Sequence, residues 1–328
     1  MTQAFKVITP GIHTTVQDPG RFGFQDVGVP VSGPLDRVSF RLANVLVGNS
    51  SGMPALEVLR QGPTLEVLAE SVRVALVGCK ANIEVRSGNA RTIAAGQSAR
   101  LTQGEVFRIG RLGDSACAYL AIEGGLDIAT TLGSASTYFR GAIGGYNGQL
   151  LRQGDLLPIK RLTVDIRGEH ALSRPLDLAF DQPIRVVLGP QADYFTDAAV
   201  KTFLSSGYIV SNQADRMGFR LDGPKLAHAK GYDIASDGIV AGAIQVPGSG
   251  LPIVLMVDAQ TTGGYPKIAT VISADIPVLG RRKPGHAIHF VAVDVGEAES
   301  LRKKQEAAFQ QCVKDFCTVT NLVSTQKT

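Results

Sequence analysis

Apolar positions in this chain mostly alternate with polar ones or run together in short stretches, and few carry a helical repeat. Apolar runs at residues 72–79, 99–111, 116–122, 184–188, 253–258 and 286–295 are rich in β-branched residues and bounded by Gly, Pro, Asn or Asp, the pattern of strands. Three stretches repeat at helical spacing. In residues 34–47, Leu35, Val38, Leu42, Val45 and Leu46 recur along one face, with Pro34 at the start and Gly48 at the end. Residues 192–205 set Phe195, Ala199 and Phe203 on one face and stop at Gly207. Residues 296–316 align Leu301, Ala308, Phe309, Cys312 and Phe316 against an outer face of Lys303, Lys304, Glu306 and Lys314, which predicts an appended amphipathic helix before a polar tail. Strands dominate and βαβ alternation is missing, so a mainly β fold is expected rather than a Rossmann or TIM architecture. The polar, irregular stretch 160–183 is the expected connection between lobes. It divides the chain into an N-terminal β-rich lobe (1–180), a C-terminal β lobe (181–296) and a helix with tail (297–328).

Composition narrows the function classes. The 328 residues include 37 Gly without a collagen-type period, as tight-turned β folds require. A net charge of +4 is dispersed, with no basic stripe interleaved with aromatics, so no nucleic-acid partner is expected. Cys79, Cys117, Cys312 and Cys317 lack metal-ligand spacing and read as reduced thiols. No apolar stretch is long enough to cross a bilayer and the N-terminus lacks a signal-peptide core, so a cytoplasmic protein is expected.

Several motifs fail on inspection. The string nearest to a P-loop, residues 218–225, has Pro224 where the phosphate-binding lysine belongs. Glycine-rich residues 141–148 neither follow a strand nor open a helix, and read as a flexible loop. A G-x-S-x-G elbow is absent. The five histidines are scattered, and His286 and His289 would face opposite sides of a strand, so no metal site is expected. The chain also has no Met-Lys pair to carry biotin.

Three polar, glycine-containing strings interrupt apolar surroundings. The first holds Thr14, Thr15, Gln17, Asp18 and Arg21 and runs on to Ser32 and Asp36, which flank the predicted start of the first helix. A helix N-terminus there would suit a carboxylate or carbonyl oxygen. Alternatively Asp18 and Arg21 brace a loop and Ser32 caps the helix. The second string, residues 211–223, contains Asp215, Arg216, Arg220 and Asp222 around Gly218. Its arginines could grip a carboxylate through a planar fork, or the string could be a salt-bridged turn. In the third, an apolar strand ends in Asp258, followed at once by Gln260, Thr261, Thr262, Gly263, Gly264, Tyr265 and Lys267. A rigid strand followed by a polar loop is a common way to present chemistry. Gln and Thr can read an amide, and Tyr and Lys can donate protons or anchor an anion. A solvent-facing turn is the plainer alternative.

At these strings the chain resembles the biotin-dependent carboxyltransferase family, whose members are also called allophanate hydrolase subunit 2 or the C-type subunit of 5-oxoprolinase. The resemblance runs from about Phe5 to Val295 through TTVQDPGR (14–21), GVPVSGPLD (28–36), LANVLVGN (42–49), YLAIEGG (119–125), GSASTY (133–138), SNQADRMGFRLDG (211–223), GAIQVP (242–247) and DAQTTGGYPKIATVISAD (258–275). Pro34 and Asp237 depart from the family's usual residues, and the C-terminal helix and tail lie outside the resemblance.

The resemblance implies two lobes, each built on a cyclophilin-like β-barrel with a few flanking helices, with the active site between them. It implies a hydrolase, the C-type member of a 5-oxoprolinase complex that works with B-type and A-type subunits and opens 5-oxoproline to glutamate with ATP. ATP would act through the complex, since this chain has no P-loop. The alternatives are a carboxyltransferase moving CO2 from carboxybiotin to urea or a related amide, with biotin on another chain, and a non-catalytic regulator that binds a B-type subunit. Asp258, Gln260, Tyr265, Asp215 and Asp18 are the expected catalytic residues. Thr14, Thr15, Gln17, Arg21, Arg216, Arg220, Thr261, Thr262 and Lys267 are the expected substrate contacts. All three strings are expected to converge on one cleft.

Overall fold

A computed structural model describes residues 3–319. Strands take 33% of the chain and helices 16%, so the fold is mainly β. In the N-terminal lobe two antiparallel sheets share one core. The six-stranded sheet runs, in spatial order, Leu156–Pro158, Gln3–Thr9, Thr64–Val67, Val106–Ile109, Ile83–Val85 and Arg91–Ile93. The five-stranded sheet runs His13–Gln17, Ala55–Leu59, Cys117–Ile122, Ser71–Val77 and Ser98–Thr102. The single run expected at 99–111 is two strands, one in each sheet. A turn at Gly104 separates them, and the Glu105 carboxylate accepts from the Thr102 amide at 2.7 Å.

The five-stranded sheet explains why its sequence reads as continuous apolar runs. Leu56, Val58, Val74, Leu76, Leu120 and Ile122 face the core between the two sheets. Ala55, Ala75, Val77, Cys117, Tyr119 and Ala121, on the opposite face, join a second core that extends into the C-terminal lobe. A sheet covered on both sides loses the apolar–polar alternation of a half-exposed one. Helix α1 (Arg37–Leu46) covers this second face. Its N-cap is Asp36, whose carboxylate accepts from the amides of Val38 and Ser39 at 3.0 Å, and the helix begins three residues later than the periodicity predicts.

The C-terminal lobe closes into a seven-stranded barrel ordered Ile184–Leu188, Lys267–Val271, Ala243–Gln245, Ile253–Leu255, Gly218–Asp222, Gly207–Val210 and Ala287–Ala292. A parallel pairing of the first and last of these strands completes it, while the other pairs are antiparallel. Helix α2 (Asp197–Ser205) packs on the strand Ala287–Ala292, where Phe203 stacks on Phe290 with ring centroids 4.6 Å apart. Helix α3 (Ile276–Gly280) is a short element that the periodicity misses.

Helix α4 (Val295–Lys314) leaves the barrel and returns to the N-terminal lobe. The Arg41 guanidinium of α1 lies 3.7 Å over the ring of Phe309 and pairs with Glu306 at 2.6 and 2.9 Å. The strand Cys317–Val319 then pairs with Glu169–Ala171 in the connecting stretch. Among the described residues no helix is long and apolar enough to cross a membrane.

The burial of Phe203, 0% exposed, gives a direct test of the barrel core. Phe203→Ala is expected to lower the unfolding free energy by about 3–5 kcal/mol in chemical denaturation. A loss below ~1 kcal/mol would mean that α2 does not seal the barrel.

Candidate functional site

The lobes meet at a buried chain of charged and polar groups. Arg216, in the turn before the strand Gly218–Asp222, is 5% exposed. Its Nε and one Nη donate to the two carboxylate oxygens of Asp258 at 2.7 and 3.1 Å. The other Nη pairs with Glu57 of the N-terminal lobe, and a further bond reaches the Gly33 carbonyl at 2.8 Å. Glu57, fully buried, also accepts from the Tyr119 hydroxyl at 2.7 Å and the Leu35 amide at 2.9 Å. Tyr119 accepts in turn from the Asp36 amide at 2.8 Å, and the Asp36 carboxylate holds Arg281 at 2.7 Å.

Opposite charges compensate the burial of Arg216. Desolvation alone would lower the Arg216 pKa, but the charges of Asp258 and Glu57 reverse that and hold it above its ordinary value. Burial pushes the Tyr119 hydroxyl well above the usual range, aided by Cys117 and Glu57. His13, at the start of the strand beside Ala55–Leu59, has its pKa lowered first by burial and then by the positive Arg216, with Glu57 opposing, and its Nε2 has no partner among the described residues.

In front of this brace lies a cleft of 790 Å³. Alternation along the chain decides which residues reach it. Asp215 faces the cleft while Arg216 turns inward. Phe219 and Leu221 are buried while Arg220 and Asp222 point out, and Arg220, Asp222 and the edge of Leu221 line the cleft. Asp258 turns inward, while Gln260 and Tyr265 line the cleft with Gln245. The Asp215 carboxylate also holds its own turn, accepting from the amides of Met217 at 2.8 Å and Gly218 at 3.1 Å. Gln245 donates to the Tyr265 carbonyl at 3.3 Å. Its amide occupies the space beside Gly263, where a Cβ would meet it at 2.4 Å. The closeness that this glycine permits is therefore used inside the protein.

Of the expected catalytic residues, Asp215, Gln260 and Tyr265 reach the cleft, as does Arg220 among the expected substrate contacts. The others are placed elsewhere. Both oxygens of Asp258 are occupied by Arg216, so its geometry is that of a brace rather than a free acid or base. Asp18 accepts from Ser134 and Ser136 at 2.5 and 2.6 Å and from the Ala135 amide at 2.7 Å. Arg21, 0% exposed, donates to the carbonyls of Thr131 and Ser136 at 3.0 and 2.9 Å. Thr14 donates to the Pro10 carbonyl at 2.7 Å, and Gln17 bridges Thr15 and the Thr137 carbonyl at 3.0 and 3.2 Å. The first string thus lies behind the cleft and supports residues 131–137. Asp36 takes up the amides at the start of α1, so that helix end is closed to a ligand. Thr261 faces a neighbouring pocket of 210 Å³, Thr262 pairs with Gly238, and Lys267 is buried against Asp237 at 2.7 Å.

The sequence reading passed over Glu57, Tyr119 and Arg140, the last of which reaches the cleft from the N-terminal lobe. Glu57 left a usable signal, a lone acid inside the apolar run Ala55–Leu59.

The brace can be tested in two ways. Arg216→Ala leaves Glu57 and Asp258 buried without their cation and is expected to cost about 3–5 kcal/mol in unfolding free energy. Arg220→Ala, at an exposed position, is expected to stay within ~0.5 kcal/mol. Similar losses in both variants would contradict the division between brace and cleft. Second, His13 has a lowered folded pKa, so the unfolded chain takes up the proton first. Its contribution is present above about pH 6.5 and is lost as pH falls below that value. His13→Gln should therefore flatten the rise of stability from acid to neutral pH, and an unchanged slope in denaturation at stepped pH would refute it.

Known proteins share this architecture. Residues 27–292 match the family described as carboxyltransferase domain, subdomain A and B. The chain is 38% identical to the C-type subunit of 5-oxoprolinase from Escherichia coli (strain K12), over 93% of this chain and 96% of that protein. It is 35% identical to the urea amidolyase of Lachancea kluyveri, over 94% of this chain and 18% of that protein. The crystal structure of the Kluyveromyces lactis urea carboxylase superposes with a TM-score of 0.85 at 32% identity, over 95% of this chain and 29% of that one. The chain therefore spans under a third of these larger proteins and nearly the whole of the E. coli subunit. With its paired lobes, inter-lobe brace and polar cleft, the chain belongs to the carboxyltransferase domain, subdomain A and B, family.

Proposed function

We propose that this chain is the C-type subunit of a 5-oxoprolinase complex, which opens the lactam of 5-oxoproline to glutamate with ATP and B-type and A-type partner subunits. The observation that carries this reading is end-to-end similarity to a protein of that name, 93% of one chain against 96% of the other. The cleft supports it with the groups such a substrate needs. Arg220 is a cation for a carboxylate, Gln260 is an amide for a cyclic amide, and Tyr265 and Asp215 are groups for proton transfer.

In the reaction water oxygen bonds to the lactam carbonyl carbon, the C–N bond breaks, and the nitrogen takes a proton to become the amine. Gln260 donates to the lactam oxygen as negative charge develops there. Tyr265 delivers the proton to nitrogen, and Asp215 accepts one from the attacking water. For ATP to make the opening of an unstrained lactam favourable, its terminal phosphoryl group would pass to the lactam oxygen with ADP as leaving group, and phosphate would depart as the carboxylate forms. In residues 141–148 the amides of Ala142, Ile143, Gly145 and Gly148 donate to internal carbonyls, with Gly145 on Ala135 at 3.0 Å and Gly148 on Gly144 at 2.8 Å. This supports the reading that ATP acts through the complex.

The likeness to urea carboxylase favours a second reading, carboxyl transfer from carboxybiotin to urea or a related amide. It requires a biotinylated chain in the same complex, and a streptavidin blot without a band removes it. For the main reading, the co-purified complex should release glutamate only with ATP and 5-oxoproline together. Gln260→Ala and Tyr265→Phe are expected to lower kcat by roughly 10²-fold while the complex still assembles. Absence of 5-oxoproline-dependent ATP turnover in the wild-type complex would end this proposal.

A further inference from the structure

The glycine-rich string that follows GSASTY is a built arm rather than a loose loop. Tyr138 and Ile143 exchange backbone hydrogen bonds at 2.9 and 3.2 Å, and the Thr137 amide donates to the Val16 carbonyl at 2.9 Å. Gly144, at φ 67°, packs so tightly that a Cβ would lie 2.2 Å from the Ser136 carbonyl oxygen. Asp18 and Arg21 fasten the base of the arm from beneath. At its tip, in the single turn Phe139–Gly141, stands Arg140.

Among the described residues that line the cleft, Arg140 alone belongs to the N-terminal lobe. Its guanidinium donates to Asp215 of the other lobe at 2.9 Å, and both side chains are about half exposed, at 60% and 47%. An ion pair so exposed is weak and easily exchanged. Asp215 keeps a second task without it, since its other oxygen holds the turn at Met217 and Gly218. Arg220 lines the same cleft with no ion-pair partner among the described residues.

We infer that Arg140 is the principal anchor for the substrate's carboxylate, and that Asp215 holds its place until the ligand arrives. The ligand carboxylate replaces Asp215 on the planar fork of Arg140, and Arg220 adds its charge from the barrel side. The ligand is then gripped by both lobes at once, and the exchange frees one oxygen of Asp215 inside the cleft. The class of ligand is a small carboxylate bearing an amide. The inference rests on the reading of the chain as part of a 5-oxoprolinase.

The test is isothermal titration calorimetry on the chain assembled with its B-type and A-type subunits, with ATP omitted so that chemistry is not read. The probes are 5-oxoproline and 2-pyrrolidinone, the same lactam without the carboxylate. Arg140→Ala is expected to weaken 5-oxoproline about tenfold or more and to leave 2-pyrrolidinone unchanged. Arg140→Lys, which keeps the charge without the fork, should fall between wild type and Arg140→Ala. Asp215→Asn keeps the acceptor for its turn but removes the competing charge, and should tighten 5-oxoproline about threefold. The inference is overturned by equal 5-oxoproline affinity in Arg140→Ala and wild type, by an equal loss for both ligands, by weaker binding in Asp215→Asn, or by no 5-oxoproline binding to the wild type. Binding as expected without ATP-dependent glutamate release would sink the enzymatic reading and leave the carboxylate anchor standing.

Discussion

The contact of Arg216 with Glu57 and Asp258 is the constraint on which the two-lobed arrangement depends. One guanidinium, almost without solvent, holds a carboxylate from each lobe and the Gly33 carbonyl as well. Buried charges of this kind cost a large desolvation free energy, and their attraction offsets it only when every partner is in place. The brace therefore acts as a positional device: a shift of either lobe would strand a charge rather than merely weaken a contact. Tyr119 and Asp36 carry the same constraint on to α1 and Arg281, so the helix that covers the five-stranded sheet is fixed by the same set of bonds.

The cleft inherits its shape from that brace. Neighbouring residues of one string do different work because strand and turn geometry sends them to opposite sides. Arg216 and Asp258 hold the lobes, while Asp215, Arg220, Gln260 and Tyr265 face the open space in front of them. The first string contributes at one remove: Asp18 and Arg21 support the segment that leads to Arg140. A dense polar motif in this fold is thus part scaffold and part site, and residue type alone does not separate the two.

The same division sets how much of the molecule was legible in its sequence. The mainly β class, helices α1, α2 and α4, and the polar strings were legible because each leaves a local signature of periodicity, capping or composition. The convergence of the second and third strings was expected from the family resemblance, which implies an active site between the lobes. Other features depend on partners far along the chain. Arg21 has the look of an anion clamp until its carbonyl partners, more than a hundred residues away, are known. Arg140 sits in a string with no charge cluster, and only the arm's course brings it opposite Asp215. The run at 99–111 hid its turn because a turn at Gly104 leaves apolar residues on both sides.

The central strands of the five-stranded sheet, largely apolar on both faces, raise a difficulty of their own. In a half-exposed sheet a one-residue slip throws the apolar set into water, and this is what normally fixes strand pairing. Here a slipped strand would still find a greasy environment on either side, so greasiness cannot choose among alignments. Glu57 and Arg73 make the choice. Each points to the helix-covered side, where Glu57 meets Arg216 and Arg73 meets Glu169 at 2.9 Å. Displaced by one position, each would thrust a full charge into a space lined by Phe, Leu and Val with nothing to receive it. These two charges work as keys cut for a single alignment, and a strand lacking them would have several ways to lie down in the sheet.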